Sequence, residues 1–283
     1  MTLGDWEKGG SVRTLCGKRV FCREGGAADA PVLVLIHGFP TSSWDFEALW
    51  GPLTARYRVV TLDMLGFGFS EKPTSGYSIG AQADLFEARL AELGITSYHV
   101  LAHDYGDTVA QELLARKSPA LKSVCFLNGG LFPETHRPLL VQKLLLSPLG
   151  AFVAQLTGPG RFDANLRRIF GPGTQPSREL LDGFWAQLTR EQGLRAMSKL
   201  IHYMPERVAR RERWVGALVN AAVPLKLIDG ADDPVSGRHM AARYRELVPA
   251  ADVTLLEGIG HYPQVEAPQA VLEAYLQFRT SRT

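Results

Sequence analysis

The chain has 283 residues, 46% of them hydrophobic, which is enough for one large core with a smaller insertion and argues against a disordered chain. Its 31 Lys and Arg against 29 Asp and Glu leave a formal charge of +2, so no charge excess points to nucleic acid or to an anionic membrane surface, and the expected partner is a small molecule. Cys16, Cys22 and Cys125 make an odd count without metal-ligand spacing, the N-terminus lacks a basic segment followed by an apolar one, and no run approaches the roughly 18 apolar residues of a membrane span; a cytoplasmic chain without a leader is expected.

Residues 11–23 predict an antiparallel hairpin turning near Gly17 and Lys18, followed by a loop through Gly25, Gly26 and Asp29. Residues 32–36 are apolar without alternation, as in a parallel strand covered by helices on both faces, and 59–62, 100–102, 124–127 and 225–228 share that character. Helical patterns lie between them. The clearest starts with Ser78 as N-cap, carries Phe86, Leu90 and Leu93 at i, i+4 and i+7, and stops at Gly94. A last helix takes Pro268 into its first turn and sets Val271, Leu272, Tyr275 and Phe278 on one face. This alternation predicts an α/β chain with a mostly parallel central sheet flanked by helices. It breaks between about 131 and 222, where helical stretches follow one another without a strand. The expected organisation is a core domain of residues 1–130 and 223–283 with an inserted helical cap, or lid, of residues 131–222 over the carboxyl ends of the strands, where open α/β sheets bind ligands. The run "RVARRERW" (207–214) reads as a solvated helix face.

The segment "VLAHDYGD" (100–107) reads as a buried strand, a tight corner and a helix, the setting of a nucleophile elbow, whose usual form is G-x-S-x-G. Ala102 and Gly106 take the small positions, and Asp104 stands where serine is usual. Alone, Asp104 reads equally well as a cap of the following helix. Two further segments favour the elbow: "GADDPV" (230–235) follows the strand 225–228, and "GIGHYPQ" (258–264) follows a strand near 253–256. Asp104, Asp233 and His261 therefore occur in the order nucleophile, acid, base, each in a loop beyond a strand end, which is the order of triads in the α/β-hydrolase fold. Asp232 competes as the acid, and the spacing G-x-x-D-P-V selects Asp233. In "LIHGFP" (35–40) a strand ends in His-Gly, so the amides of Phe39 and Tyr105 are the expected oxyanion hole, with His37 and Asp63 as loop-organising residues.

A free aspartate titrates at about 3.9, so unlike serine it needs no base before it attacks. A carboxylate that displaces a leaving group at a saturated carbon forms an alkyl ester, which water activated by His261 can cleave at the carboxyl carbon. Serine would form an ether, which acyl-transfer machinery cannot cleave. The expected substrate is a small molecule with an electrophilic saturated carbon: an epoxide, or a haloalkane or haloacid. Neither a metal nor an organic cofactor is implied, because the hydrolysis needs only water and the triad.

On "HGFP", "HDYGD", "DDPV" and "GHY" the chain resembles the α/β-hydrolase-fold epoxide hydrolases and haloalkane dehalogenases. In epoxide hydrolases two cap tyrosines hold the epoxide oxygen, and the resemblance implies that Tyr203, in "LIHYMPERV" (200–208), is the later of them. It is the only tyrosine between 131 and 222, so the second donor is missing or replaced, with His202, Trp185 and His136 as the substitutes. Tyr105 and Phe39 stand where dehalogenases usually carry halide-binding donors, and Asn128 where some keep their acid, which supports Asp233. The resemblance thus implies an epoxide hydrolase forming a vicinal diol, with a dehalogenase as the alternative and a non-catalytic ligand-binding hydrolase fold as a third reading; either a monomer or a homodimer is expected.

Overall fold

The computed structural model describes residues 1–280. Its strands are β1 (Ser11–Leu15), β2 (Lys18–Gly25), β3 (Val32–Ile36), β4 (Arg58–Leu62), β5 (Tyr98–Ala102), β6 (Leu121–Phe126), β7 (Leu225–Gly230) and β8 (Asp252–Leu256). They form one sheet in the order β1-β2-β4-β3-β5-β6-β7-β8, in which β2 pairs antiparallel with both β1 and β4 and all the other pairings are parallel. This is the α/β-hydrolase architecture expected from the sequence. The unalternating apolar runs become the central strands because helices cover both faces: Leu33, Val34, Leu35 and Ile36 are all buried, whereas four of the five residues of the edge strand β1 are exposed.

Local signals set the element ends. Ser78 accepts a hydrogen bond from the Ala81 amide at the start of helix Ile79–Glu92, and Gly94, at φ 65°, turns the chain away beyond it. The hairpin turn is Cys16–Gly17, one residue earlier than predicted: Leu15 pairs with Lys18, and both turn residues have positive φ, as a two-residue turn between twisted strands requires. The helix Leu3–Lys8 was not predicted; its signal is the capping box that Thr2 makes with Asp5.

Between β6 and β7 the chain forms seven helices and, among the described residues, no strand: Leu140–Leu145, Gly150–Gln155, Pro159–Arg167, Arg178–Thr189, Gly193–Leu200, Tyr203–Ala209 and Arg211–Val219. The last of these packs on helix Tyr105–Ala115, where Glu112 accepts hydrogen bonds from Arg213 Nε at 2.7 Å and Trp214 Nε1 at 2.8 Å. The reading of 207–214 as a solvated face is corrected here. Arg210 and Glu212 are exposed, but Arg207 and Trp214 are buried and join the inserted helices to the core. A run of arginines looks solvated in sequence because its partners, Glu112 among them, come from another part of the chain. Among the described residues, no helix is long and apolar enough to cross a membrane.

The turn from β5 into helix Tyr105–Ala115 is held against β3. A Cβ on Gly106 would stand 2.6 Å from the His37 carbonyl oxygen and closer still to that of Ile36, so helix and strand approach as closely as backbones allow. Gly106→Ala is therefore expected to cost about 1–3 kcal/mol or more by overpacking. Gly216→Ala, at a helical position where an added Cβ meets no atom within 4 Å, is expected to gain up to about 1 kcal/mol. Urea unfolding of the two variants checks the contrast, and equal effects would contradict the close approach.

Candidate active site

Asp104 follows β5 at φ 50° and ψ −105°, outside the regions an ordinary residue prefers, and only 4% of it is exposed. Although it occupies the N-cap position of helix Tyr105–Ala115, its side chain makes no capping hydrogen bond. The carboxylate turns instead toward the end of β3, where Oδ2 accepts the Phe39 amide at 3.0 Å. Tyr105 opens the helix, so its amide is one of those that a helix leaves without an internal acceptor.

His261 and Asp233 meet the nucleophile position from the far strands. His261 Nδ1 lies 2.7 Å from Asp233 Oδ2, and Nε2 lies 4.0 Å from Asp104 Oδ1. The first distance is a charge-assisted hydrogen bond; the second is too long for one. Asp233 also accepts the Val235 amide at 2.8 Å, the Ser236 amide at 3.1 Å, Ser236 Oγ at 2.7 Å and Asn128 Nδ2 at 3.2 Å. Burial pushes the Asp233 carboxyl up, but His261 and these donors outweigh it and hold the group down to about 2. For His261, burial favours the neutral ring, and Asp233 and Asp104 together overcome it and raise the imidazole to about 9. His103 Nε2 lies 2.8 Å from the His261 carbonyl oxygen; burial holds His103 near 3, so this ring is neutral and donates that bond, fixing the His261 loop.

The loop-organising residues are well bonded. His37 Nε2 accepts the Met64 amide at 3.0 Å, and Asp63 accepts the amides of Ser43 at 2.9 Å and Phe69 at 2.8 Å. Asn128 accepts the Gly230 amide at 2.6 Å while donating to Asp233, which ties the ends of β6 and β7 together.

The inserted helices bring Tyr203 to the site. Its ring centroid is 4.9 Å from that of Tyr105 and 6.1 Å from that of Phe39, and its buried hydroxyl has no hydrogen-bond partner of good geometry. Burial and the charge of Asp104 raise its phenol, while Arg207 opposes them. A narrow cavity at Asp104 and His261 is walled by apolar insertion residues, among them Leu139, Leu145, Phe162, Leu166 and Met197. None of the three residues expected as substitutes for a second tyrosine lines this cavity. His202 is exposed, Trp185 packs behind Phe162 at 5.5 Å between centroids, and His136 lies with His202 along a different groove that it shares with Arg207.

Arg207 was missed by sequence reasoning. It is 3% exposed, donates from Nε to Thr108 Oγ1 at 2.6 Å and from Nη2 to the Asp104 carbonyl oxygen at 3.0 Å, and its Nη2 lies 3.9 Å from Asp104 Oδ1. The available signal was its place four residues after Tyr203, which puts both on one helix face. Asp107 and Asp229 were also missed; burial raises both carboxyls well above their ordinary value. Among the described residues, no group of three or more His, Cys, Asp or Glu side chains is arranged to hold a metal ion.

A parallel sheet whose central strand turns tightly into a helix at Asp104, with an acid and a histidine beyond later strands, has the arrangement of the α/β-hydrolase type of protein. The chain belongs to the α/β hydrolase family, whose sequence profile matches residues 33–274. It is 43% identical to the mesoderm-specific transcript homolog protein of Bos taurus over 99% of this chain and 88% of that protein. It is 40% identical to the putative hydrolase LipZ of Mycobacterium tuberculosis over 97% of each. The haloalkane dehalogenase DbeA from Bradyrhizobium elkani USDA94 shares the fold, with a TM-score of 0.83 at 21% identity over 96% of this chain and 98% of that one.

The His261–Asp233 pair makes stability depend on pH. Raised above its ordinary value, His261 contributes stability that is complete below about pH 6.5 and is lost as the pH rises through about 9. Asp233, lowered from 3.8 to about 2, contributes stability present above the ordinary carboxylate range and lost only as the pH falls toward 2. Thermal melts between about pH 6 and pH 10 are expected to show a steeper alkaline decline in the wild type than in His261→Gln. Parallel declines would contradict a charged pair.

Proposed function

We propose that the protein is an epoxide hydrolase that converts an epoxide to a vicinal diol through an ester on Asp104. The observation that carries this reading is the placing of the Asp104 carboxylate, with Oδ2 on the Phe39 amide and Oδ1 facing His261 Nε2 at 4.0 Å. A serine nucleophile needs its histidine in hydrogen-bonding contact to take its proton, whereas here the two groups are too far apart for a hydrogen bond, as suits a histidine that acts on water in the second step.

In the first step Asp104 Oδ1 bonds to a ring carbon, the ring C–O bond breaks, and its electron pair goes to the oxygen. Tyr203 gives that oxygen its proton and becomes phenolate. In the second step His261, oriented by Asp233, takes a proton from water as the water oxygen adds to the carboxyl carbon of Asp104. The resulting oxyanion is Oδ2, which already rests on the Phe39 amide, with the Tyr105 amide as the second donor. Collapse returns the carboxylate and releases the diol; the imidazolium gives up a proton to the departing oxygen, and the proton released overall returns to Tyr203. His261 must be neutral for this second step. Its elevated pKa depends in part on the Asp104 charge, and that contribution disappears once Asp104 is an ester.

In this reading residues 131–222 are a cap domain on the core of residues 1–130 and 223–283. Support comes from Tyr203 and from most of the apolar cavity wall, which come from the insertion, while Phe39, Pro40 and Val235 complete the wall from the core. The epoxide is favoured over a halide because Tyr203 offers a hydroxyl proton, which an alkoxide takes up and a halide does not need. His261→Gln is expected to accumulate one covalent equivalent of styrene oxide on the peptide containing Asp104, detected by mass spectrometry, while the wild type releases the diol. Bromide release from a bromoalkane without diol formation would replace this reading with a dehalogenase. If neither compound leaves an adduct, a non-catalytic ligand-binding protein is the better account.

A further inference from the structure

Three buried polar groups beside the nucleophile lack hydrogen-bond partners of good geometry: the Tyr203 hydroxyl, Arg207 Nη1 and both ring nitrogens of His136. They lie close together. A Cβ on Gly130 would overlap Arg207 Nη1 and stand 3.2 Å from His136 Nδ1, and the Arg207 Cζ lies 4.4 Å from the centroid of the Tyr203 ring. A buried guanidinium with an unused N–H is costly unless it faces an anion. The nearest carboxylate is Asp104, with Oδ1 3.9 Å from Nη2, and forming an ester there removes that charge.

We propose that Arg207 is the fixed positive charge that takes over the negative charge displaced from Asp104, so that the esterified site binds a small anion at Nη1, between Tyr203 and His136. The inference rests on the ester chemistry proposed above and supplies the second leaving-group donor that a lone cap tyrosine leaves open. During attack the electron pair of the breaking C–O bond moves to the ring oxygen, and the charge then passes to Tyr203 as its proton leaves; Arg207 faces both atoms and transfers no proton itself. The timing also suits Tyr203. The Asp104 charge opposes ionisation of the phenol and vanishes on esterification, whereas the favourable effect of Arg207 persists. A groove lined by Pro133, His136, His202, Met204 and Arg207 runs beside this corner, while the orphaned atoms themselves lie just beneath its surface. The competing acceptor is Asp107, one helical turn beyond Asp104 and within the field of Arg207, but fully buried and strongly biased to its neutral form.

Asp104→Asn mimics the neutral ester. Its Tm is expected to rise with sodium bromide concentration beyond the response of the wild type at equal ionic strength, and Arg207→Met in that background is expected to abolish the difference. No bromide response in Asp104→Asn overturns the proposal, as does a response that appears only when Asp107→Asn is added, because Asp107 then takes the charge. In the His261→Gln background, Arg207→Met is expected to slow ester formation from styrene oxide by about 100-fold, with Arg207→Lys recovering part of the loss. An unchanged rate in folded Arg207→Met assigns Arg207 a structural role and also overturns the proposal. If Arg207→Met does not fold, the comparison of Asp104→Asn with wild type still decides. Absence of any ester in His261→Gln itself defeats the reaction reading, whereas the bromide response tests the anion site separately.

Discussion

Asp104, only 4% exposed, belongs with Asp107, Asp229 and Asp233 to a chain of buried, mutually repelling carboxyl groups, which cannot all be ionised away from water. The protein meets that constraint by dividing them. Asp107 and Asp229 are pushed by burial toward the neutral acid. Asp233 is held ionised by His261 and by the amides and hydroxyl of the loop that follows it. Asp104 faces the two cationic groups of the site, His261 at 4.0 Å and Arg207 at 3.9 Å, and takes a full hydrogen bond only from the Phe39 amide. The Asp104 side chain thus stands between both groups without a tight ion pair to either.

That balance couples the halves of the proposed reaction. Forming the ester removes one negative charge from beside both cations at once. For His261 the loss removes one of the charges that favour its proton, which shifts the ring toward the neutral form needed to activate water. For Arg207 it leaves a positive charge facing the departing oxygen. One event at Asp104 therefore prepares both the base and the leaving-group site, with no movement of the backbone required.

Much of this was legible in the sequence, for identifiable reasons. The strands β3 to β7 are short apolar runs whose lack of alternation reports burial on both faces, and "VLAHDYGD" places the sharp turn at Asp104 by local geometry, since strand, corner and helix are contiguous. Asp233 and His261 follow from chain order, and the structure brings their side chains within 2.7 Å of each other. What stayed illegible depends on contacts between distant segments. Arg207 sits in a run rich in arginine, and only the approach of Thr108 and the Asp104 carbonyl distinguishes it from Arg210. Trp185 and His202 are the residue types a leaving-group site uses, but helix phase turns one toward Phe162 and the other to solvent. Asp107 and Asp229 carry no local mark of their burial.

The division of labour between the two parts of the chain follows from where each residue is anchored. Asp104, Asp233, His261 and the Phe39 amide stand on loops at the ends of sheet strands, whose positions are fixed by the hydrogen-bonded ladders beneath them. Ester formation and hydrolysis, which demand sub-ångström placement, are proposed to lie there. Tyr203 and Arg207 come instead from one short helix, four residues apart, above an apolar cavity. In the proposed reaction they meet the leaving atom, whose identity varies between substrates, while the carboxyl chemistry does not. A change on that helix can alter which bond is broken without disturbing how the ester is cleaved, because nothing in the Asp233–His261 pair leans on it. The link between the two parts is the Asp104 backbone itself, whose carbonyl oxygen receives Arg207 Nη2 while its side chain faces His261.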